Sequence, residues 1–305
     1  MADLTARTKT ALDEVRTVIL GAQVLLGFEF NVVFHDAYDR LPASSRYIEA
    51  VALLLMAAAI ALLIAPPIFH RVIFGGEDNG WIYAQISAMT RAALLPFAIS
   101  LGLDLYVTIG WIAGTVIGAF VGAAFTAAAL FWWYGFGLTS RSSTGRRERH
   151  MAAKERDVSV RTPLHAKIEQ MLTEARVIIP GAQALLGFQF AVVLTEAFDK
   201  LPMLSKTVHA ISLGCMALAI VLLMAPAAYH RIVYAGQDDP EFHRTGSVLI
   251  TAATVPLALG VAGDIYVVMT KVFDSSQIGV AIAAVVLAGY VALWHVYPAI
   301  RREIG

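Results

Sequence analysis

Long apolar runs separated by short polar segments dominate this chain. The first half contains four such runs, near residues 15–35, 47–70, 89–109 and 111–137. The second half contains four more, near residues 175–195, 208–230, 247–270 and 277–298. A helix needs about 20 apolar residues to cross the hydrocarbon core of a bilayer, so each run predicts one membrane-spanning helix. The pattern therefore predicts an all-α integral membrane protein with eight transmembrane helices.

The eight runs form two sequence repeats with a constant offset of 160 residues. The segment Gly-Ala-Gln-x-Leu-Leu-Gly-Phe at 21–28 returns at 181–188, and His70-Arg71 returns as His230-Arg231. Self-similarity at a fixed period is typical of duplicated structural units. Because each unit has an even number of spans, both enter the membrane from the same side and form parallel repeats. The predicted divisions are a first four-span repeat at 1–138, a basic linker at 139–172 and a second four-span repeat at 173–305.

The composition and charge distribution support this topology. Hydrophobic residues make up 58% of the chain and charged residues 15%, whereas about 25% is usual for soluble domains. Of the 23 Lys and Arg residues, five fall on the side away from the termini: Arg40, Arg46, Lys200, Lys206 and Lys271. The positive-inside rule then places both termini and the linker in the cytoplasm. The basic linker indicates contact with anionic headgroups or control of topology, and not nucleic-acid binding.

Several kinds of chemistry are excluded by what the sequence lacks. No segment outside the spans is long enough to bury its own core, so we predict no soluble catalytic domain and no enzymatic activity. The single cysteine, Cys215, lies in an apolar run and excludes an intramolecular disulfide and a cysteine metal cluster. The sequence contains no phosphate-binding loop and no metal-ligand spacing, and we expect no cofactor and no bound metal.

Glu29 is the leading candidate for a functional residue. It lies about two-thirds of the way through the first predicted span, where an ionisable side chain is costly and therefore a functional candidate. Its counterpart in the second repeat is Gln189, so the repeat keeps polarity at this position without keeping charge. Glu29 could carry a proton or bind a cation. The alternative is that both side chains form hydrogen bonds across the bundle, with Glu29 protonated by burial.

Asp104 and Asp264 are a second pair of candidates, about one turn from the outer end of the third span of each repeat. Pro96 and Pro256, eight residues earlier, can kink the helix and free a carbonyl group. Two carboxylates at equal depth around an axis could form a cation-attracting ring. The alternative is that each carboxylate reaches water at the membrane interface, beside a tyrosine two residues later.

Gln23 and Gln183 lie in the repeated Gly-Ala-Gln segment. Gln23 shares a helix face with Gly27, four residues later. An amide beside small residues is typical of close helix packing with interhelical hydrogen bonds. Coordination of an ion by these two amides is the alternative.

The repeated His-Arg step marks the cytoplasmic end of the second span in each unit, at His70, Arg71, His230 and Arg231. An arginine at such an end complements the helix dipole and extends to the headgroups. This predicts an interface anchor. Two histidines at equal depth could instead ligate haem on both axial sides.

Together, these motifs resemble a family of uncharacterised bacterial membrane proteins. The shared elements are Gly-Ala-Gln-x-Leu-Leu-Gly-Phe, then Ala-Pro-x-x-[Phe/Tyr]-His-Arg, then an aromatic-rich fourth span with a basic end. Members usually have one four-span unit and are often labelled sodium:proton antiporters. The resemblance covers both halves of this chain. It implies a tandem duplication, a bacterial cytoplasmic (inner) membrane, and units that associate into a homo-oligomer or a membrane protein complex.

Two functions remain open from the sequence. The first is movement of small cations or protons, with Glu29, Asp104 and Asp264 as ion-facing residues and Gln23 and Gln183 as polar lining. The second is a non-transporting membrane scaffold or an accessory subunit of a larger membrane complex. In the second case the same side chains are satisfied polar groups and helix contacts.

Overall fold

The computed structural model describes residues 2–135, 159–160 and 162–304. Its first repeat contains the helices α1 Ala2–Val32, α2 Ala43–Val72, α3 Gly80–Ala113 and α4 Thr115–Leu130. Its second repeat contains α5 Leu164–Val193, α6 Met203–Ile232, α7 Pro240–Phe273 and α8 Ser276–Val291, followed by α9 Tyr297–Ile304. Most basic residues of the predicted linker, from Arg141 to Arg156 and Arg161, lie outside the described residues.

Short elements connect the long helices. A 3-10 turn, Tyr38–Arg40, precedes α2, and the helical turn Glu196–Asp199 occupies the matching place before α6. One π-helical turn follows α4 at Phe131–Gly135 and another follows α8 at Ala292–Val296. Two short strands, β1 Asp78–Asn79 and β2 Ser159–Val160, pair antiparallel, with Asp78 opposite Val160.

Local sequence accounts for where several helices begin and end. Asn79 caps α3, because its Oδ1 accepts a hydrogen bond from the Ile82 N–H at 2.8 Å, and Asp239 and Ser275 cap α7 and α8 in the same way. Such caps satisfy backbone N–H groups that have no partner within the helix. Gly114, with φ of 98°, separates α3 from α4 in a conformation that only glycine adopts without strain.

The prediction of eight membrane spans is confirmed. Eight described helices are long and apolar enough to cross a bilayer. The bounds differ from the apolar runs, because α1 extends back to Ala2 and ends at Val32, and α3 continues to Ala113. Glu29 therefore lies one turn from the end of α1, while Asp104 lies nine residues before the end of α3. The sequence predicted the opposite: Glu29 well inside its span and Asp104 about one turn from the end of its span. Along their own helices, Asp104 is the residue farther from the helix end.

The two repeats meet along α1 and α5, the first helix of each unit. Gly181 on α5 receives the side chain of Gln23, and Gly27 on α1 receives the ring of Phe188. A Cβ atom at either glycine would overlap these side chains. At one end of the seam, Lys9 forms an ion pair with Glu169 at 2.7 Å. Small residues thus allow close approach of the two helices, as the Gly-Ala-Gln segment predicted, but the expected interhelical hydrogen bond of Gln23 is not formed with any described residue.

The repeats do not use equivalent surfaces on their second helices. In the first repeat, α2 packs against α7, the second π-helical turn and α9 of the other repeat. Tyr290 Oη donates to the Ala57 carbonyl at 2.8 Å, and Trp294 Nε1 donates to the Ala61 carbonyl at 2.9 Å. The counterpart of Ala61 on α6 is Val221, which is 63% exposed. The repeats therefore form one bundle in which α2 is central and α6 is peripheral.

The glycines of the seam provide a matched pair for a stability test. We expect Gly181→Ala to lower the thermal unfolding midpoint in detergent, because the new methyl group overlaps Gln23 and overpacking costs about 1–3 kcal/mol. Gly21→Ala is the control, since no heavy atom lies within 4 Å of a Cβ built there. That variant should be unchanged or slightly more stable, by up to about 1 kcal/mol from helix propensity. Equal effects of the two substitutions would contradict the described seam.

Candidate functional site

Glu29 lies in a cluster with Ser100 and Asp104, in which Glu29 and Ser100 are buried and Asp104 is half-buried. Its Oε1 is 2.8 Å from the Ser100 hydroxyl, and its carboxyl group interacts directly with that of Asp104. Glu29 Oε2 and Asp104 Oδ1 are buried and have no hydrogen-bond donor among the described residues. The structure thus brings together two candidates that the sequence placed at different depths.

The Ser100 hydroxyl has two oxygen neighbours at hydrogen-bond distance. It lies 2.8 Å from Glu29 Oε1 and also 2.8 Å from the backbone carbonyl of Ala52. A hydroxyl group donates one hydrogen, and a carbonyl oxygen can only accept. Both contacts are satisfied together when Ser100 donates to Ala52 and a protonated Glu29 donates to Ser100. The geometry is therefore complementary to a neutral Glu29 carboxyl.

A third carboxyl group, Glu49 near the start of α2, belongs to the same region. Its side chain is buried and interacts electrostatically with Asp104 and Glu29. Glu49 is not a candidate from the sequence alone, because it lies near the end of an apolar run where an acidic residue is ordinary. The signal that could have found it is the repeat itself: its counterpart at the 160-residue offset is His209, which is also ionisable.

The second repeat builds an equivalent cluster from different groups. Gln189 Nε2 donates to Asp264 Oδ2 at 2.7 Å, and His209 Nδ1 lies 3.9 Å from Asp264 Oδ1. The other ring nitrogen of His209 is 3.1 Å from the Gln189 carbonyl oxygen. All three side chains are buried. By the repeat offset, the amide of Gln189 corresponds to the carboxyl group of Glu29, and the imidazole of His209 to that of Glu49. The carboxyl group of Asp104 is kept as Asp264.

The remaining ion-path candidates lie elsewhere. Gln23 is buried in the seam between α1 and α5, and its amide has no hydrogen-bond partner among the described residues. Gln183, its counterpart, is exposed on α5. Asp104 and Asp264 each pair within their own repeat. Within the described ranges no group of three or more His, Cys, Asp and Glu side chains is arranged to hold a metal ion.

The His70-Arg71 step forms a buried ionic network and not an interface anchor. Arg71 pairs with Glu174 of α5, and only 7% of the Arg71 side chain is exposed. His70 Nδ1 lies 3.2 Å from Glu174 Oε1, while its Nε2 lies 3.4 Å from Asp78 Oδ1. Because both ring nitrogens face carboxylates, neither is free to bind haem iron. In the second repeat Arg231 is exposed and His230 stacks on Phe242 at a centroid distance of 4.4 Å.

The loop before α3 extends this network toward β2. Lys167 donates to Glu77, the Thr162 N–H donates to Glu77 Oε2 at 2.6 Å, and the Asp78 N–H donates to Thr162 Oγ1 at 3.0 Å. Partial burial raises the pKa of Glu77, but the hydrogen bonds from Lys167 and Thr162 outweigh it and hold that pKa below its ordinary value. The Glu77 carboxylate therefore stays charged and fastens this loop to the start of α5.

Comparison with known sequences identifies the chain at the level of its family. The family described as a family of unknown function (DUF6328) matches residues 4–136 and again residues 161–298. The two matches cover most of the chain, so the protein belongs to this family and carries its unit twice. No curated protein and no solved structure matches the chain.

The repeats also supply a matched pair for testing the ionic network. We expect Glu174→Gln to destabilise the protein by about 3–5 kcal/mol, because Arg71 would remain buried without its counterion. Glu14→Gln alters the equivalent residue of the first repeat, which is exposed, and should change stability by no more than about 0.5 kcal/mol. Thermal unfolding of the purified full chain in detergent measures both. Equal thermal unfolding midpoints for Glu174→Gln and wild type would show that the Arg71–Glu174 ion pair does not stabilise the fold.

Proposed function

We propose that this member of the family is a polytopic membrane protein that passes protons across the bilayer, with Glu29 and Asp104 as its proton-binding pair. The observation that carries the proposal is the interaction between the buried carboxyl group of Glu29 and the half-buried one of Asp104, each with a buried oxygen that lacks a donor among the described residues. With Glu29 Oε1 donating to Ser100, a second proton, held between Asp104 and Glu29 Oε2, provides the missing hydrogen bond. Ionisable groups within membrane spans mark proton relays and ion paths.

The neighbourhood of the pair supports proton binding over binding of Na⁺ or K⁺. The contacts of Ser100 with Glu29 and Ala52 favour a protonated Glu29. Glu49 and Ser100 therefore serve as positioning residues in this proposal.

The residues of the second repeat indicate that the two units have different roles in proton binding. At the position of Glu29 it has Gln189, which cannot exchange a proton at neutral pH and donates to Asp264 instead. His209, in place of Glu49, adds a group that titrates near neutrality in water. We propose that the first unit carries the proton-exchanging pair, and that Asp264 with His209 forms a second proton-binding position.

The proposal includes an orientation. Both termini and the linker would face the cytoplasm of a bacterial cell, with the protein in the cytoplasmic (inner) membrane. The support is the distribution of Lys and Arg, of which five lie on the opposite side of the membrane.

A non-transporting scaffold, or an accessory subunit of a membrane complex, is the second candidate function. The observation in its favour is the unequal use of α2 and α6. The face of α2 is covered by the other repeat, whereas Ile211, Leu218 and Val221 on α6 are exposed. In a scaffold, this apolar face would bind another membrane helix, and Glu29 with Asp104 would be a satisfied internal contact.

Proton flux into proteoliposomes distinguishes the two functions. We expect wild-type protein to dissipate an imposed pH gradient, with no flux of Na⁺ or K⁺ under matching gradients. Glu29→Gln should reduce proton flux to that of empty liposomes, because the amide removes the exchangeable carboxyl. This variant should still fold, since the second repeat has glutamine at the same place and donates from it to an aspartate.

Asp36→Asn is the control for this experiment, because Asp36 follows α1 and is exposed. It should leave proton flux unchanged. If folded, inserted wild-type protein gives no flux above empty liposomes, the proton-transfer proposal fails and the scaffold function gains support. If Glu29→Gln transports as wild type does, transport stands but Glu29 is not on the path.

A further inference from the structure

The side of the membrane that carries the termini and linker contains a basic cavity of about 860 Å³, separate from the carboxyl clusters. Three arginines line it: Arg71 at the end of α2, Arg244 at the start of α7, and Arg302 in α9. His243 and His295 also line it, and no carboxylate is among the described residues of its wall. Positive charge concentrated in a concave site attracts an anion.

Polar groups suited to phosphate oxygens accompany the charges. Ser247 and Thr251 present hydroxyl groups in the same cavity. Arginine donates through a planar, multidentate guanidinium that matches phosphate geometry. Arg71 is partly balanced by Glu174, whereas Arg244 and Arg302 are exposed. The latter two are therefore the residues best placed to bind an incoming anion.

One face of α7 runs from this basic group toward the apolar part of the bundle. Arg244, Val248, Thr251 and Val255 follow one another at spacings of four, three and four residues, so they lie on one side of the helix. All four line the cavity, and Val248 and Val255 are 61% and 47% exposed. The stripe covers about 16 Å along the helix axis. It is charged at the membrane surface and largely apolar toward the interior.

That gradient matches the shape and chemistry of an anionic phospholipid. We propose that the cavity binds the phosphate of such a lipid through Arg244 and Arg302, while an acyl chain lies along Val248 and Val255. Free phosphate shares the headgroup chemistry but makes no use of the apolar part of the stripe. Basic pockets between transmembrane helices are suited to anionic headgroups. The site does not depend on whether the protein carries protons.

The basic residues that α7 contributes to this cavity are not repeated in the first unit. At the 160-residue offset, Ala84 stands in the place of Arg244 and Tyr83 in the place of His243. One tightly bound anionic lipid per chain is expected at this position.

Native mass spectrometry of the full chain tests the proposal. The protein is extracted from vesicles containing equal amounts of phosphatidylcholine and phosphatidylglycerol, and the retained lipid is counted. We expect one phosphatidylglycerol in excess over phosphatidylcholine. The double variant Arg244→Gln/Arg302→Gln should lower its affinity about 30-fold, because each basic residue near the membrane surface contributes about fivefold.

Arg231→Gln is the matched control, since Arg231 is an exposed arginine on the same side of the membrane that does not line the cavity. It should retain the lipid as wild type does. Equal retention by the double variant and wild type would overturn the proposal, as would equal loss in the control. A separate titration of delipidated protein with inorganic phosphate distinguishes the sources. The lipid assignment would be overturned if wild-type protein bound phosphate, the double variant did not, and wild-type protein retained no phosphatidylglycerol in excess over phosphatidylcholine.

Discussion

A charged or polar side chain inside an apolar bundle must find its partner within the protein, and this constraint organises the structure. Arg71, at the end of α2, is buried and pairs with Glu174 of the other repeat. His70 lies between Glu174 and Asp78, so one network joins α2, α5 and the loop before α3. Breaking a buried ion pair leaves an uncompensated charge, which is strongly unfavourable. The network therefore fixes how the two repeats dock at this end.

The constraint also explains why nearly symmetric sequences give an asymmetric bundle. Each repeat carries the His-Arg step, but Arg71 meets Glu174 across the repeat boundary, while Arg231 stays exposed. At the seam, Gly181 receives Gln23, whereas nothing lies close to the equivalent Gly21. Of each repeated motif, one copy therefore contacts the other repeat and the second copy does not. Both copies of a motif can be buried in one interface only when the two units are related by a true twofold axis.

Much of the architecture was predictable from sequence, because bilayer thickness fixes the length of an apolar helix. The eight spans, the duplication and the packing role of Gly181 and Gln23 follow from periodicity and residue size. The partners of Glu29 did not follow, because they come from α2 and α3, and their meeting depends on helix crossing and relative depth. His209 was missed for the same reason: a histidine near the end of an apolar run is unremarkable until its neighbours are known.

The two carboxyl-containing clusters then acquire a common explanation. Glu29, Glu49 and Asp104 correspond by the repeat offset to Gln189, His209 and Asp264, so both units keep three hydrogen-bonding groups at equivalent positions. Of the three positions, two differ between the repeats, and only the aspartate is the same in both. Packing alone would not require the aspartate to be kept while the other two positions change. A buried carboxyl is the most costly of the three to retain in a membrane span. Its presence in both units supports the proposal that the clusters bind protons.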